Sequence, residues 1–180
     1  MEQSYIPYLM NKFVEMIQYI SVKFPKLLED VIFNNLVKHL KNNSKYFKNW
    51  KPSGGYSLLH GDLHIGNIVK RNGNYLLIDF EYLRYGATEF EIANLIISSL
   101  FWYCKRNYDD NKLKSLITNY FKTCIQFSFL NNYIFFKFFF IFSLILYYLS
   151  AYIGKKGKDD LATIRKIIRL NNIVNQGYKY

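Results

Sequence analysis

The chain has 180 residues, which is enough for one ordinary domain and too short for two. Hydrophobic residues make up 51% and charged residues 21%, so a disordered chain is excluded and a sizeable core is possible. The 24 Lys and Arg residues against 13 Asp and Glu residues give a net charge of +11, which favours an anionic partner such as a nucleotide, a nucleic acid or a membrane surface. An AT-rich coding sequence would explain the same charge without any partner.

Cysteine usage and the first residues predict a cytoplasmic protein. Cys104 and Cys124 give neither a disulfide framework nor a metal-ligand spacing, so a reducing compartment is expected. The first ten residues lack the basic start and the apolar run of a signal peptide.

Two helices are predicted ahead of the first strand. Apolar residues at helical spacing predict an amphipathic helix over about residues 4–20, and Pro25 fits the first turn of a second helix. The apolar positions expected on the buried faces are Ile6, Leu9, Met10, Phe13, Val14, Ile17 and Ile20 in the first helix, and Leu28, Val31, Ile32, Leu36 and Leu40 in the second.

The middle of the chain predicts a small β unit. A Pro-Ser-Gly-Gly break precedes strand character at Tyr56–Leu59. Asn67–Arg71 and Tyr75–Phe80 predict two short strands around an Asn72-Gly73-Asn74 turn. After Gly86 the pattern is helical to the end, which makes the fold class α+β. A helical stripe holds Leu113, Leu116, Ile117, Tyr120, Phe121, Cys124 and Ile125, and a last helix holds Leu161, Ile164 and Ile168.

One apolar stretch is long enough to be considered as a membrane-spanning helix. Tyr133 to Ile153 contains a single charge, Lys137, and has about the length of a spanning helix with a basic flank. The alternative, which we favour, is a buried core helix in an aromatic-rich domain. Membrane association is therefore not expected.

Polar side chains cluster within the apolar short strands between residues 58 and 81. Asp62 and Asp79 lie at corresponding ends of strand-like runs joined by a hairpin, so one cleft can hold both. With Asn67 they make a set of hard oxygen donors suited to Mg²⁺ with bound phosphates rather than to Zn²⁺. A buried carboxylate needs such compensation, because it costs several kcal/mol when unpaired.

The spacing of these residues is more specific than their composition. His60-x-Asp62-x-x-x-x-Asn67 is the pattern of a kinase catalytic loop, and Asp79 follows after a β-hairpin. The wording HGDLHIGN followed by LIDFE resembles the aminoglycoside phosphotransferase and choline kinase superfamily. The resemblance continues at 85–93, where Glu91 stands in for the usual Asp and Ala87-Thr88 replace Asp-Pro, which puts a supporting contact in doubt.

The resemblance implies a role for each position. Asp62 would accept or orient the proton of the substrate hydroxyl, and His60 would support the loop from below. Asn67 and Asp79 would hold Mg²⁺ for bound ATP. Weaker expectations are that Val69 and Ile78 floor the adenine pocket, with core packing as the alternative, and that His64 and Glu81 lie on the substrate side.

The expected architecture is the mainly helical C-terminal lobe of a protein-kinase-like fold, as a single domain over residues 1–180 with its catalytic segment at 58–95. Only 59 residues precede His60, and they show no Gly-rich loop and no strand lysine, so the N-terminal small lobe is missing from the pattern. Three explanations are open. The chain is a fragment of a longer protein, or it is a lobe that is inactive or receives its small lobe in trans, or it binds nucleotide in an unconventional way.

The predicted activity is ATP- and Mg²⁺-dependent transfer of a phosphoryl group to a small-molecule alcohol, choline- or ethanolamine-like before aminoglycoside-like. A cage of Phe80 and Glu81 around a cationic amine would explain that order. The alternatives are an inactive binding or scaffold lobe, a membrane-associated protein, and a metallophosphatase based on Asp62-x-His64, for which further His ligands are lacking. No motif supports nucleic-acid binding.

Overall fold

A computed structural model describes the backbone of residues 5–44, 52, 55–107, 109–126, 133–153 and 157–177. The chain divides into two compact units, Met1–Lys51 and Pro52–Tyr180. Within the described residues the fold is α+β and mostly helical, with two small antiparallel sheets, as the sequence predicts. Expectations for the side chains of Ile6, Leu9, Phe121, Cys124, Ile125 and Lys137 lie outside the described residues.

The first unit contains three helices where two were expected. They are α1 (Tyr5–Lys23), α2 (Pro25–Glu29) and α3 (Val31–Ser44). Pro25 does begin a helix, but that helix ends at Asp30, whose Oδ1 accepts the backbone N–H groups of Ile32 and Phe33 at 3.0 and 3.1 Å. An Asp that caps a new helix is more favourable there than one inside a continuous helix.

The break at Asp30 changes which side chains are buried. Val31 is 71% exposed, whereas Leu27, Phe33 and Val37 are buried instead of the expected Leu28 and Ile32. Of the remaining expected positions, Phe13, Ile20, Leu36 and Leu40 are buried, and Val14 is exposed. The prediction was therefore wrong at Leu28, Val31 and Ile32, next to the break, and is confirmed at Leu36 and Leu40.

The second unit begins with four short strands. They are β1 (Tyr56–Leu59), β2 (Ile68–Arg71), β3 (Asn74–Leu77) and β4 (Arg84–Ala87). β2 and β3 form a hairpin in which Val69 pairs with Leu76. Its two-residue turn, Asn72-Gly73, has φ of 50° and 80°, the conformation of a type I′ turn.

The other sheet pairs β1 with β4, and sequence analysis missed β4. Leu59, the last residue of β1, lies opposite Arg84, the first residue of β4. The hairpin's second strand ends at Leu77 rather than Phe80, because Asp79 has a φ of 66° and leaves the extended conformation. These two sheets frame the loop that carries Asp62.

Helices α4 (Thr88–Asn107), α5 (Asp110–Gln126), α6 (Tyr133–Ile153) and α7 (Gly157–Gly177) complete the second unit. α6 packs against α4 and α7. Its described side chains from Phe138 to Ile145 are all buried, and the Phe90 ring of α4 contacts Phe139 and Phe142 at centroid distances of 5.7 and 5.9 Å. Over the described part of the chain, no helix has the length and apolar character needed to cross a membrane.

Ion pairs hold α7 to its neighbours at its polar face. Lys105 of α4 pairs with Asp160, and Asp110 of α5 pairs with Lys166. Beneath them, the expected apolar positions Leu113, Ile117, Ile164 and Ile168 are buried. The helical predictions for this half of the unit are confirmed at these residues.

Candidate active site

The loop between β1 and β2 makes a turn that only glycine tolerates. Gly61 has a φ of 84°, and a Cβ at this position would collide with the backbone carbonyl oxygen of Tyr82. Positive φ is unfavourable for residues with a side chain, and the contact removes the space as well. The segment after Asp79 therefore lies directly against the residue that precedes Asp62.

Two side chains of opposite charge hold the Gly61 backbone. Its N–H donates to Glu91 Oε1 at 2.7 Å, and its carbonyl accepts from the Arg84 guanidinium at 3.2 Å. The Arg84 guanidinium also lies over the Phe90 ring, 5.5 Å from its centroid. Glu91 therefore makes a supporting contact despite replacing the shorter Asp of the motif, and it fixes the peptide groups on both sides of Gly61 together with Arg84.

His60 lies underneath the loop. It is 4% exposed, and its Nε2 donates to the Ile78 carbonyl at 2.7 Å. Its ring also contacts the Phe80 ring at a centroid distance of 4.7 Å. This bond joins the start of the loop to the end of the hairpin.

Asn67 connects the same two segments from the other end of the loop. Its buried side chain donates from Nδ2 to the Asp62 carbonyl at 3.0 Å, and its backbone carbonyl accepts the Ile78 N–H at 3.1 Å. Ile78 thus has its N–H bonded to Asn67 and its carbonyl bonded to His60. The residue after it is Asp79, so these bonds place Asp79 beside the loop that carries Asp62.

Asn67 and Asp79 carry oxygen donors of the kind that a hard divalent cation takes. Because Asn67 uses Nδ2 as a donor to Asp62, its Oδ1 is directed elsewhere as an acceptor. Asp79 is exposed, in a left-handed conformation that is uncommon outside glycine and often marks functional sites. Among the described residues no group of three or more His, Cys, Asp or Glu could hold a metal, so such a site would combine the amide and carboxylate oxygens with phosphate or water.

The Asp62 carboxylate is open to solvent, with 46% of the side chain exposed. His64 Nε2 lies 3.7 Å from its Oδ2, and His64 Nδ1 accepts the Gly66 N–H at 3.0 Å. An accessible carboxylate on a rigid loop can accept a proton from a bound hydroxyl.

The apolar side chains of the hairpin are exposed rather than buried. Val69 is 36% exposed and Ile78 is 43% exposed, so the core alternative for these two residues was wrong. Since Val69 pairs with Leu76 and side chains alternate along a strand, Val69, Leu76 and Ile78 share one face. Glu81 is exposed at the start of the segment that leads to β4.

Comparison with known proteins identifies the family. The model of the APH phosphotransferase enzyme family matches residues 16–121, which is more than half of the chain. The chain belongs to this family. It is also similar to proteins described as methylthioribose kinase in Yersinia pestis (strain Pestoides F) and Yersinia pseudotuberculosis serotype O:1b (strain IP 31758). Each is 35% identical over 80 residues, which is 44% of this chain and 20% of the relative, so the match spans a fifth of the relatives' length.

Three residues near the loop of this phosphotransferase-family chain were missed by sequence analysis. Asn94 of α4 donates to the Leu63 carbonyl at 3.2 Å, and the buried Ser98, one turn further on, donates from Oγ to the Leu95 carbonyl of its own helix at 2.8 Å. Burial raises the pKa of Tyr147 of α6; the neighbouring Ser98 side chain acts to lower this pKa, and the Asp62 charge adds to the rise. Polar residues at positions i and i+4 of an otherwise apolar helix were the available signal.

Proposed function

We propose that the chain acts as an Mg²⁺- and ATP-dependent phosphotransferase on a small-molecule alcohol. The observation that carries this proposal is the pair of hydrogen bonds made by Asn67, one to the Asp62 carbonyl and one to the Ile78 N–H. A single buried residue thereby ties the candidate base to the hairpin end that carries the candidate metal ligand. Membership of a phosphotransferase family supports this interpretation.

In the proposed step, the acceptor hydroxyl attacks the γ-phosphorus of ATP. A new bond forms between the acceptor oxygen and phosphorus, the bond from the γ-phosphorus to the β,γ-bridging oxygen breaks, and ADP leaves with that electron pair. The hydroxyl proton passes to the Asp62 carboxylate. The protein contributes position and charge neutralisation, with no covalent intermediate on the enzyme.

Asn67 Oδ1 and the Asp79 carboxylate would hold Mg²⁺, which neutralises charge on the nucleotide phosphates. The apolar face of Val69, Leu76 and Ile78 suits a flat purine ring. His60 would hold the start of the loop against the end of the hairpin. On this account the chain forms the mainly helical C-terminal lobe of a kinase-like fold.

A second, β-rich lobe, contained in a longer protein or supplied in trans, would cover the nucleotide phosphates and strengthen the binding that this lobe provides by itself. Many exposed apolar side chains on both faces of the hairpin and on neighbouring segments support this, since exposed apolar surface often marks interaction sites. These residues are Leu58, Ile65, Val69, Tyr75, Leu76, Leu77, Ile78, Phe80, Tyr82, Leu83 and Tyr85. An inactive binding lobe is the alternative, and the retention of Asp62, Asn67 and Asp79 argues against it.

Two observations support a choice of acceptor class: the names of the relatives and the residues on the proposed substrate side of the loop. The similarity to methylthioribose kinases favours a thio-sugar alcohol, and the exposed Glu81 beside Phe80 leaves a cationic amino alcohol as the second candidate. Both present a hydroxyl that Asp62 can deprotonate. The proposed place of the reaction is the cytoplasm, where ATP and Mg²⁺ are supplied.

A phosphotransfer assay tests this proposal. The chain is incubated with γ-labelled ATP, Mg²⁺ and methylthioribose, choline, ethanolamine or an aminoglycoside, and labelled products are separated. We expect transfer to one acceptor class and a loss of about 100-fold or more in Asp62→Asn. Asp109→Asn, the same chemical change at an exposed carboxylate at the start of α5, is the matched control. Equal transfer by the wild-type chain and Asp62→Asn would contradict the proposal.

A further inference from the structure

The His64 imidazole lies between the loop backbone and the Asp62 carboxylate. Its Nδ1 accepts the Gly66 N–H at 3.0 Å, and its Nε2 lies 3.7 Å from Asp62 Oδ2. A neutral imidazole has one donor nitrogen and one acceptor nitrogen, and here Nδ1 is the acceptor. The proton is therefore on Nε2, on the side of the carboxylate.

Gly66 makes this ring position possible. A Cβ on Gly66 would lie 2.8 Å from His64 Cε1 and 2.9 Å from Nδ1, closer than side-chain carbons normally approach. Gly66 is not among the residues with positive φ, so its backbone does not require glycine. The missing side chain leaves space for the imidazole.

We propose that His64 is a positioning residue for Asp62. In the reacting complex its Nε2–H binds Oδ2, which holds the carboxylate in one rotation and leaves Oδ1 to take the proton of the acceptor hydroxyl. The separation of 3.7 Å is longer than a hydrogen bond, and a small rotation of the Asp62 side chain closes it. Catalytic hydrogen bonds are commonly long before substrate binds. This inference rests on the proposed phosphotransfer.

Two other roles for His64 predict different results. If the ring only shapes the loop, the bond from Gly66 to Nδ1 is what matters. If the ring only touches substrate, its removal raises KM and leaves kcat intact. The side chains of Asn and Gln separate these roles, because the Asn amide occupies the place of Nδ1 and the Gln amide reaches the place of Nε2.

The kinetic test compares His64→Gln with His64→Asn. We expect His64→Asn, which keeps the acceptor for Gly66 but loses the donor to Asp62, to lower kcat by about 10- to 100-fold. His64→Gln keeps a donor near Oδ2 and should recover most of that loss. The reverse order, or a change confined to KM, would overturn the proposal.

Gly66→Ala provides a second test, because it displaces the ring without changing its chemistry. We expect it to lower kcat about as much as His64→Asn does. Placed in a His64→Ala background, where no ring remains to be displaced, the same change should have little further effect. An equally large effect in both backgrounds would mean that Gly66 serves the backbone, and would overturn the proposal.

Nitrogen-15 NMR of the His64 ring tests the geometry without any activity. We expect the Nε2–H tautomer in the wild-type chain, with an Nε2 signal that shifts in Asp62→Asn. An Nδ1–H tautomer would overturn the proposal even if transfer is observed. Absence of transfer together with the Nε2–H tautomer would instead refute the proposed function and leave the His64 contact standing.

Discussion

At the scale of single residues, Gly61 has the strictest requirement in the candidate site. It combines a φ of 84° with a direct approach to the Tyr82 carbonyl, and side chains hold the peptide groups on both sides of it. Asp62 follows immediately, so any shift of Gly61 moves the candidate base. A substitution here should therefore affect both stability and transfer.

We predict that Gly61→Ala lowers the free energy of unfolding by more than about 2 kcal/mol, because strain at positive φ adds to a backbone collision. Gly73→Ala is the matched control. Gly73 has a φ of 80° but open space around its Cβ position, so strain alone should cost about 1 kcal/mol. Denaturant unfolding of both variants measures the difference. Equal losses would mean that the approach of Tyr82 has no energetic weight.

The candidate site could be predicted from the sequence to the extent that its chemistry is local. Asp62, Asn67 and Asp79 were proposed from their spacing, and the Asn67 hydrogen bonds connect the segments that carry them. The hairpin turn was predicted from Asn72-Gly73. The bonds from Arg84 to Gly61 and from Asn94 to Leu63 span 23 and 31 positions, and no local pattern encodes which partners meet across such distances. Glu91 illustrates the same limit. The sequence did not show that this Glu side chain, which is longer than the usual Asp, still reaches the Gly61 N–H.

At the scale of elements, local competition explains the errors. A Pro at the first turn and an apolar period favoured one helix from Pro25 onward, but Asp30 bonds to two backbone N–H groups and begins a new helix. β4 was missed because four residues gain strand structure only through pairing with β1. Long helices such as α6, whose observed bounds match the apolar stretch, are set by periodicity and length.

Helix α4 carries a buried titratable group, Cys104, whose thiol is 1% exposed. Burial raises the pKa of this thiol to about 11, with a smaller opposing effect from Lys166 and a further rise from Asp110. The native state thus keeps its proton at pH values where the unfolded thiol, with a pKa near 9.0, has lost it. Stability is full below pH 9 and falls as pH rises towards 11.

We predict that this alkaline loss is smaller in Cys104→Ala, which has no thiol to titrate. The wild-type chain should lose about 1–2 kcal/mol more than the variant between pH 9 and pH 11. Urea unfolding of both chains at several pH values measures the difference in slope, and groups common to both chains cancel. Parallel stability profiles would contradict the assignment of a buried, protonated thiol.

At the scale of the whole molecule, the second unit is organised around α6. Its buried aromatic run packs on α4, the helix that also supplies Glu91 and Asn94 to the loop. The core and the candidate site therefore share one element. The sequence alone left the apolar stretch at Tyr133–Ile153 open between a membrane span and a core helix. Its described side chains from Phe138 to Ile145 are buried, and the helix packs on α4 and α7.

The exposed apolar side chains around the hairpin are the second feature of the molecule as a whole. They lie on the strands and the segment that frame Asp62 and Asp79, whereas the buried residues lie mainly on the helices. This distribution agrees with a site that is completed by nucleotide and by a second lobe. Measuring nucleotide binding is therefore the most direct test of the proposed function.

Calorimetric titration of the purified chain with ATP, with and without Mg²⁺, is the most direct test of the central claim. Asp79→Ala removes the exposed carboxylate of the candidate metal site, and Asp109→Ala removes an acidic residue at the start of α5 as the matched control. We predict saturable binding that requires Mg²⁺, that is lost in Asp79→Ala and that persists in Asp109→Ala. Absence of binding by the folded wild-type chain, or binding unaffected by Asp79→Ala, would contradict the account.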